Sequence, residues 1–374
     1  MKILITGSNG FIGKNLISVL TTVSAYNLFF ADKETHESDL YQWCSKCDLV
    51  INLAGTNRSE IKDDFFQGNV EYIKHITDIL VSTGNLVPII SISSIHISNI
   101  ASNYGSTKKL GEEILMSYSK KNNQDVIIYR LSNVFGKWGR PNYNSVVATF
   151  CHNISREIPI KIDNPQTEID LIYIDDLITD ILESIEYLLT NHSGEYFIKD
   201  VRNKHKICIG ELASKINQFW IQRNSNFLPM VFKDSFDNKL YSTFISYLPK
   251  ESIKTAIIKH EDHRGSFTEL FRSDYHGQIS FNVVKPGVTK GNHWHKSKTE
   301  KFIVIKGKAR ILMRHIVTDD LIEFTVDDKI ISIIDILPGY THNIRNIGSD
   351  DLIFIIWCNE NFDKDKPDTY IMEV

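Results

Sequence analysis

The chain has 374 residues, 42% of them apolar and 24% charged, with 42 basic side chains against 46 acidic ones. That composition excludes disordered, collagen-like and coiled-coil chains, and its length predicts two or three domains at roughly 100–200 residues each. A net charge of −4 supplies no field for nucleic acid or an anionic membrane, so neither is expected as a partner.

In chain order, Lys2–Thr6 reads as a strand, Gly13–Val23 as a helix, and Tyr26–Ala31 and Asp48–Leu53 as strands. Asp64–Leu80 reads as a helix, Val87–Ile92 as a strand, Lys108–Lys121 as a helix and Val126–Leu131 as a strand. Strands alternating with helices predict an α/β domain, a doubly wound parallel sheet of the Rossmann kind, over 1–245. Pro249 and mixed charges interrupt the periodicity and mark a linker at 246–255. Beyond it the pattern turns all-β, with runs at Gln278–Val284, Lys301–Ile305, Ala309–Met313, Ile330–Ile336 and Leu352–Trp357 separated by turn clusters. Residues 256–374 therefore read as a small β-barrel or jelly roll. No apolar run is long enough for a spanning helix and no signal-peptide pattern opens the chain, so a cytoplasmic protein is expected. Five cysteines fit a reducing compartment, and Cys44 and Cys47, a CxxC without a second pair, read as two unrelated thiols.

The stretch TGSNGFIG (Thr6–Gly13) follows the first strand and opens the first helix. Glycines there permit a tight turn and close approach to a pyrophosphate, which the helix N-terminus attracts. At the end of the second strand Asp32 and Lys33 argue opposite ways. The acid suits the ribose 2′-hydroxyl of NAD, the cation the 2′-phosphate of NADP, and we expect NADPH with Lys33 as the discriminating residue. A second set follows. Ser93-Ser94 ends a strand, and Tyr104 and Lys108 stand at i and i+4, on one helix face. A nearby ammonium makes tyrosine, with its ordinary pKa of about 10, usable as an acid or base.

These residues, with INLAG (Ile51–Gly55), YGSTK (Tyr104–Lys108) and RLSNVFGKWGRPNYN (Arg130–Asn144), resemble the extended short-chain dehydrogenase/reductases that act on nucleotide sugars. The resemblance implies a catalytic Ser–Tyr–Lys set, falling on Ser94 (with Ser93 beside it), Tyr104 and Lys108. It also implies cofactor contacts at Gly7, Asn9, Gly10, Phe11, Ile12, Gly13, Lys33, Leu53, Ala54 and Gly55, joined by Tyr104 and Lys108. Two departures stand out: only nine residues separate Ser94 from Tyr104, and Glu168–Asp176 lacks the arginine of the family's Arg-Asp motif.

In the β-rich half, Gly287-x5-His293-x-His295-x4-Glu300-x6-Gly307 is followed by Pro338-Gly339-x2-His342-x3-Asn346. His293 and His295 share a strand face, Glu300 lies on the next stretch, and His342 can return opposite them. Three imidazoles and a carboxylate make a site for one divalent metal, Zn2+ foremost, with Fe2+, Mn2+ and Ni2+ as alternatives. The spacing resembles both cupin motifs. DHRGSFTE (Asp262–Glu269) resembles the deoxysugar 3,5-epimerases of rhamnose biosynthesis, where the place of His293 holds a general base; Tyr340 is a candidate proton donor. As a whole the chain resembles the bifunctional capsule-synthesis enzymes of the UDP-N-acetyl-L-fucosamine pathway. That implies a homodimer acting on a UDP-2-acetamido-2,6-dideoxy-4-hexulose, with C3 epimerisation in the cupin and NADPH-dependent C4 reduction in the first domain. The alternatives are a nucleotide-sugar 4-epimerase or dehydratase with a structural or regulatory cupin, and a non-enzymatic sugar sensor; intact Tyr104 and Lys108 argue against the sensor.

Overall fold

The computed structural model describes residues 1–99, 101–229 and 235–374. By contacts the chain forms two compact units, Met1–Asn217 with Lys233–Pro249, and Gln218–Phe232 with Lys250–Val374. The boundary expected at 245 places 218–232 in the first domain. Backbone hydrogen bonds bring it to the second: Leu228 donates to the Arg272 carbonyl (2.8 Å) and the Arg272 amide to Asn226 (3.2 Å). No helix among the described residues is long and apolar enough to cross a membrane.

The first unit opens with β1 (Lys2–Thr6), α1 (Phe11–Leu20), β2 (Asn27–Ala31), α2 (Glu37–Cys44), β3 (Leu49–Asn52), α3 (Lys62–Phe66) and α4 (Tyr72–Ser82). It continues through β4 (Ile89–Ser94), α5 (Asn103–Asn122), β5 (Val126–Leu131), β6 (Asn133–Phe135), α6 (Val146–Ile154), β7 (Glu168–Tyr173), α7 (Ile174–Thr190), β8 (Tyr196–Lys199) and β9 (His205–Cys208). Helices α8 (Ile209–Asn224) and α9 (Phe236–Ile245) follow. Six strands pair in the order β2-β1-β3-β4-β5-β8, all parallel, and β6-β7-β9 form a small separate sheet.

Strand alternation explains why helices cover both faces. Ile3 and Ile5 of β1, Leu49 and Ile51 of β3, and Ile127 and Tyr129 of β5 join α1 and α7 in one core. The residues between them, Leu4, Val50, Val126 and Ile128, join α2, α4 and α5 in the other. Each such aliphatic side chain taken from water contributes about 1.5–3 kcal/mol. This is the doubly wound Rossmann-like fold expected.

Three local readings change. The helix expected over Asp64–Leu80 is α3 and α4 joined by a π turn, Gln67–Glu71. The helix expected over Lys108–Lys121, with Tyr104 in its opening turn, begins at Asn103, where Ser102 caps it by accepting from the Gly105 amide at 2.9 Å. The short helix α2 had no counterpart in the sequence reading.

The second unit carries β10 (Lys259–Asp262), β11 (Gly265–Ser273), β12 (Gly277–Val284), β13 (Thr289–Trp294), β14 (Glu300–Lys306) and β15 (Lys308–His315). After these come β16 (Leu321–Asp327), β17 (Ile333–Ile336), β18 (Tyr340–Asn346), β19 (Leu352–Cys358) and β20 (Tyr370–Ile371). Two antiparallel sheets, β10-β11-β12-β19-β14-β17 and β16-β15-β18-β13-β20, make the jelly roll. Val284, Phe302, Val304 and Phe354 of the first sheet pack on Ala309, Ile311, Met313 and Ile344 of the second.

Candidate active site and candidate metal centre

Because the main sheet is parallel, the loops after β1, β2, β3 and β4 all leave from one edge, where ligands bind in such sheets. Gly7 follows β1 with φ +66°, and a side chain there would sit 2.7 Å from the Ala54 amide. A side chain on Gly13 would meet the Gly7 carbonyl at 2.4 Å, so Gly13 serves helix–loop packing rather than lining the cleft. Thr6 fixes the neighbouring loop, donating to Asn52 (2.7 Å) and accepting from the Ala54 amide (3.3 Å). Helix α1 starts at Phe11 with no capping side chain and no acid in its first turn, leaving amides for an anion.

Two clefts share Asn9, Gly10 and Gly55. One, of about 730 Å³, is lined by Gly7, Asp32, Lys33, Ala54 and Tyr72. The Asp32 carboxylate accepts from the Asn9 side chain and from the Glu34 amide (2.8 Å). Lys33 is exposed and forms no ion pair among the described residues. The other, of about 750 Å³, brings Phe11, Ile12 and Leu53 together with Ser93, Ser94, Tyr104 and Lys108.

Within that second cleft burial pushes the Tyr104 hydroxyl up from its ordinary pKa, and the Ser94 hydroxyl opposes that push. Ser94 also accepts from the His96 amide (3.2 Å), while the Ser93 hydroxyl is buried without a partner. Lys108, 8% exposed, donates to the Ile92 carbonyl at 3.3 Å. Burial pushes its ammonium down to about 8, opposed by the Glu112 carboxylate one turn on.

Sequence reasoning missed what holds this lysine. A side chain on Gly55 would lie 2.8 Å from both Lys108 Nζ and Asn69 Oδ1, so Gly55 is glycine to admit them. Asn69, buried in the π turn, accepts from the Thr56 amide (3.0 Å) and donates to the Thr56 carbonyl (2.9 Å) and Thr107 (3.2 Å). Buried Glu112 is held by Arg130 through two bonds of 3.1 and 2.7 Å. At the cleft mouth Trp138 adopts φ +69° and the Arg140 guanidinium stands 4.7 Å from the Tyr143 ring. A buried polar residue in a helix-like run was the one available signal for Asn69.

In the barrel, β13 and β18 pair so that His293 faces His342. A bulge at 291–293 turns the strand, with Asn292 at φ +61° and Gly291 at φ +109°; a side chain on Gly291 would meet the His342 carbonyl at 2.8 Å. His295 lies just past the strand, yet its ring centroid is 4.9 Å from that of His293. Glu300 opens β14 in the other sheet, its Oε2 3.2 Å from His342 Nε2 and 3.5 Å from His295 Nε2.

The one-atom-per-residue ligand sets of His293, His295, Glu300 and His342 lie within 4.8 Å of one another. His295 Nε2, Glu300 Oε2 and both ring nitrogens of His342 are buried without hydrogen-bond partners. Orphaned polar atoms converging on one point are costly unless a cation satisfies them, so these residues fit a divalent metal. Burial, then the His342 charge, pushes His293 down to about 4, which keeps it neutral as a ligand. Burial alone would raise the Glu300 carboxyl, but the His295 and His342 imidazoles beside it hold it well below the usual range.

The remaining candidates are used otherwise. Cys44 and Cys47 are buried in a core, which pushes both thiols up to about 12. Asp262 pairs with Arg264 (2.7 Å) and Glu269 with Arg272 (2.6 Å). Tyr340 packs on the barrel core, edge-on to His315 at 4.9 Å.

Residues 3–197 match the model of the NAD dependent epimerase/dehydratase family, and 260–370 that of the polysaccharide biosynthesis C-terminal domain. Over 374 residues the chain is 39% identical to the UDP-2-acetamido-2,6-beta-L-arabino-hexul-4-ose reductase of Pseudomonas aeruginosa, covering 100% of this chain and 99% of that one. It resembles the crystal structure of the capsular polysaccharide assembling protein CapF from Staphylococcus aureus with a TM-score of 0.91 and 41% identity, over 100% of each chain. A UDP-glucuronic acid 4-epimerase from Bacillus cereus, in complex with NAD, shares the fold of the first unit: TM-score 0.53, 20% identity, 66% of this chain and 96% of that one. The chain thus belongs to the NAD dependent epimerase/dehydratase family, as a CapF-like nucleotide-sugar oxidoreductase of capsular polysaccharide biosynthesis.

Proposed function

We propose that the chain is bifunctional: its barrel epimerises C3 of a UDP-2-acetamido-2,6-dideoxy-4-hexulose, and its first domain, set at 1–245, then reduces C4 with NADPH. The product is UDP-2-acetamido-2,6-dideoxy-L-talose, a precursor of N-acetyl-L-fucosamine in capsule or O-antigen. The observation that carries the reading is that Ser94, Tyr104 and buried Lys108 line one cleft together with the glycine loop. The Pseudomonas relative, a UDP-2-acetamido-2,6-beta-L-arabino-hexul-4-ose reductase, supports the substrate class.

Bound nicotinamide would supply hydride to C4. Tyr104 gives its proton to the ketone oxygen, so the carbonyl becomes an alcohol, and the Lys108 ammonium stabilises the phenolate left behind. Ser94 holds the oxygen in line with that proton. In the barrel, His293, His295, Glu300 and His342 would hold Zn2+, whose Lewis acidity toward the C4 ketone would raise the acidity of the C3 hydrogen. The order follows from the chemistry: the C3 proton is acidic only while C4 is a ketone.

A homodimer through the barrel fits the outer face of its six-stranded sheet. Ile279, Phe281, Ile303, Ile353, Ile355 and Trp357 stand there half-exposed in matching register. Sedimentation equilibrium is expected to give twice the chain mass and Ile355→Arg the chain mass; a monomeric wild type overturns the dimer.

The division of labour is tested by product NMR with the 4-keto sugar nucleotide in deuterated water. Tyr104→Phe should abolish NADPH oxidation yet still exchange the C3 hydrogen for deuterium, while His293→Ala should lose metal and exchange. A Tyr104→Phe enzyme reducing at the wild-type rate ends the Ser–Tyr–Lys assignment. A wild type that holds metal but never exchanges C3 ends the epimerase role.

Lys108 sets the pH profile. Below about 8 it is an ammonium and supports the phenolate; above, it is neutral and does not. The reduction rate should therefore fall on the alkaline side with an apparent pKa near 8, and a profile flat well beyond that value removes Lys108 from the role. Cofactor choice rests on Lys33, since a cation on a 2′-phosphate contributes about 1.5–3 kcal/mol. Lys33→Ala should raise the Kd of NADPH far more than that of NADH; equal losses would show the wrong residue or the wrong cofactor.

A further inference from the structure

We infer that residues 368–373 form a strap that positions the three imidazoles of the barrel cluster, with Asp368 as the positioning residue for His295. This rests on the reading of that cluster as a metal site.

The Asp368 backbone carbonyl accepts a hydrogen bond from His295 Nδ1, across 73 positions of sequence. A carbonyl cannot donate, so Nδ1 carries the proton, and Nε2 keeps a free lone pair. That nitrogen is the buried, partnerless atom facing Glu300 Oε2 at 3.5 Å. The Asp368 carboxylate meanwhile grips the turn between His295 and Glu300. It accepts from the amides of Lys296 (2.9 Å), Ser297 (2.8 Å) and Lys298 (2.9 Å), and from the Ser297 hydroxyl (3.2 Å). One residue thus fixes both the ring's tautomer and the backbone that carries it.

The rest of the strap reaches the other two histidines. Strand β20 pairs with β13, setting Ile371 against His293 and Tyr370 against Trp294. The Trp294 and Tyr370 rings stack at 4.7 Å, and the Met372 amide donates to the Asn292 carbonyl at 3.0 Å, at the bulge just before His293. Buried Thr341, next to His342, donates its hydroxyl to the Met372 carbonyl. The strap itself buries little: Ile371 is 92% exposed and Tyr370 38%. Apolar burial therefore does not account for its position, whereas its hydrogen bonds, apart from one that the Glu373 carbonyl accepts from Arg314 (2.7 Å), end on the three segments that bear the imidazoles. Partners of this kind orient ligating histidines and set ligand basicity.

The test uses the full chain, stripped of metal and titrated with Zn2+ against a competing chelator, as wild type, Asp368→Ala and Asp368→Asn. The metal-free melting temperature and the visible spectrum of the Co2+ form are read beside the affinity. Asp368→Ala should weaken Zn2+ by about 10–100-fold and alter the Co2+ spectrum, with the metal-free melting temperature near the wild-type value. Asp368→Asn, which keeps a side-chain acceptor for the turn, should lose less and remains the readout should the alanine variant fail to fold. A wild type that binds no Zn2+ overturns the metal reading and the strap with it. A wild type that binds Zn2+, with variants of unchanged affinity, overturns the strap alone. So does a loss of affinity matched by an equal fall in metal-free stability in both variants.

Discussion

Six strands running the same way end at one edge of their sheet, and the chemistry of the first unit depends on that constraint. Gly7 leaves β1, Asp32 leaves β2, Leu53–Gly55 leave β3 and Ser94 ends β4, so residues scattered over some 90 positions share one rim. Helix α5 returns across the sheet and delivers Tyr104 and Lys108 to it. The lysine sets the tightest requirement. Its ammonium is buried, which costs solvation unless donors and acceptors are in place. The Ile92 carbonyl, the Glu112 carboxylate and the side-chain-free Gly55 supply the bond, the countercharge and the space. The π turn that interrupts α3 and α4 follows from the same requirement, because it brings Asn69 against Gly55 and Thr56.

The barrel solves a different problem. Its four ligand-type side chains come from both sheets, so the antiparallel pairing of β13 with β18 and the facing of the two sheets must both be correct before the cluster exists. Near it the inward row of β12 is polar: Gln278, Ser280 and Asn282 are all buried. The Cys358 thiol donates to Glu300 Oε1 at 3.3 Å, leaving Oε2 to the histidines. Burial holds that thiol protonated, so it acts as a donor and not as a ligand. On the proposed function, a polar lining around the His–Glu cluster, backed by an apolar core further along, lets the barrel take a polar sugar without dissolving its own packing.

The sequence was legible where chemistry and local structure coincide. TGSNGFIG states a strand, a turn and a helix in eight letters, and the alternating runs at Lys2–Thr6 and Val126–Leu131 carry both cores at once. His293, His295, Glu300 and His342 were readable because ligand types are rare and their spacing regular. What the sequence hid was set by distant partners. Asp368 looks like an ordinary turn residue until its bonds to 295–298 are seen. Asn69 reads as a helix position because the bond that breaks the helix comes from Thr56. The alternating strand and helix pattern runs on to about 245 and so hides that Asn226 and Leu228 exchange backbone hydrogen bonds with Arg272. The YGSTK stretch showed where α5 opens, whereas its cap stayed hidden because Ser102 accepts through a side chain that periodicity does not register.

On the proposed chemistry the two sites are joined by an irreversible choice. Exchange at C3 runs in both directions for as long as the C4 carbonyl survives, so the barrel alone can only bring the two C3 configurations to equilibrium. Placing the Tyr104 proton on that oxygen removes the acidity of C3 and freezes whichever configuration the cleft has accepted. The stereochemical purity of the product is then set by the reductase cleft, through its preference for one epimer, and not by the equilibrium in the barrel. Residues at the mouth of that cleft, such as Trp138 with its strained left-handed backbone and Arg140 against Tyr143, are placed where such a preference would be exercised. A left-handed tryptophan is held only where surroundings over-determine it, and on the proposed chemistry its place in the lining of that cleft offers the sugar a fixed wall.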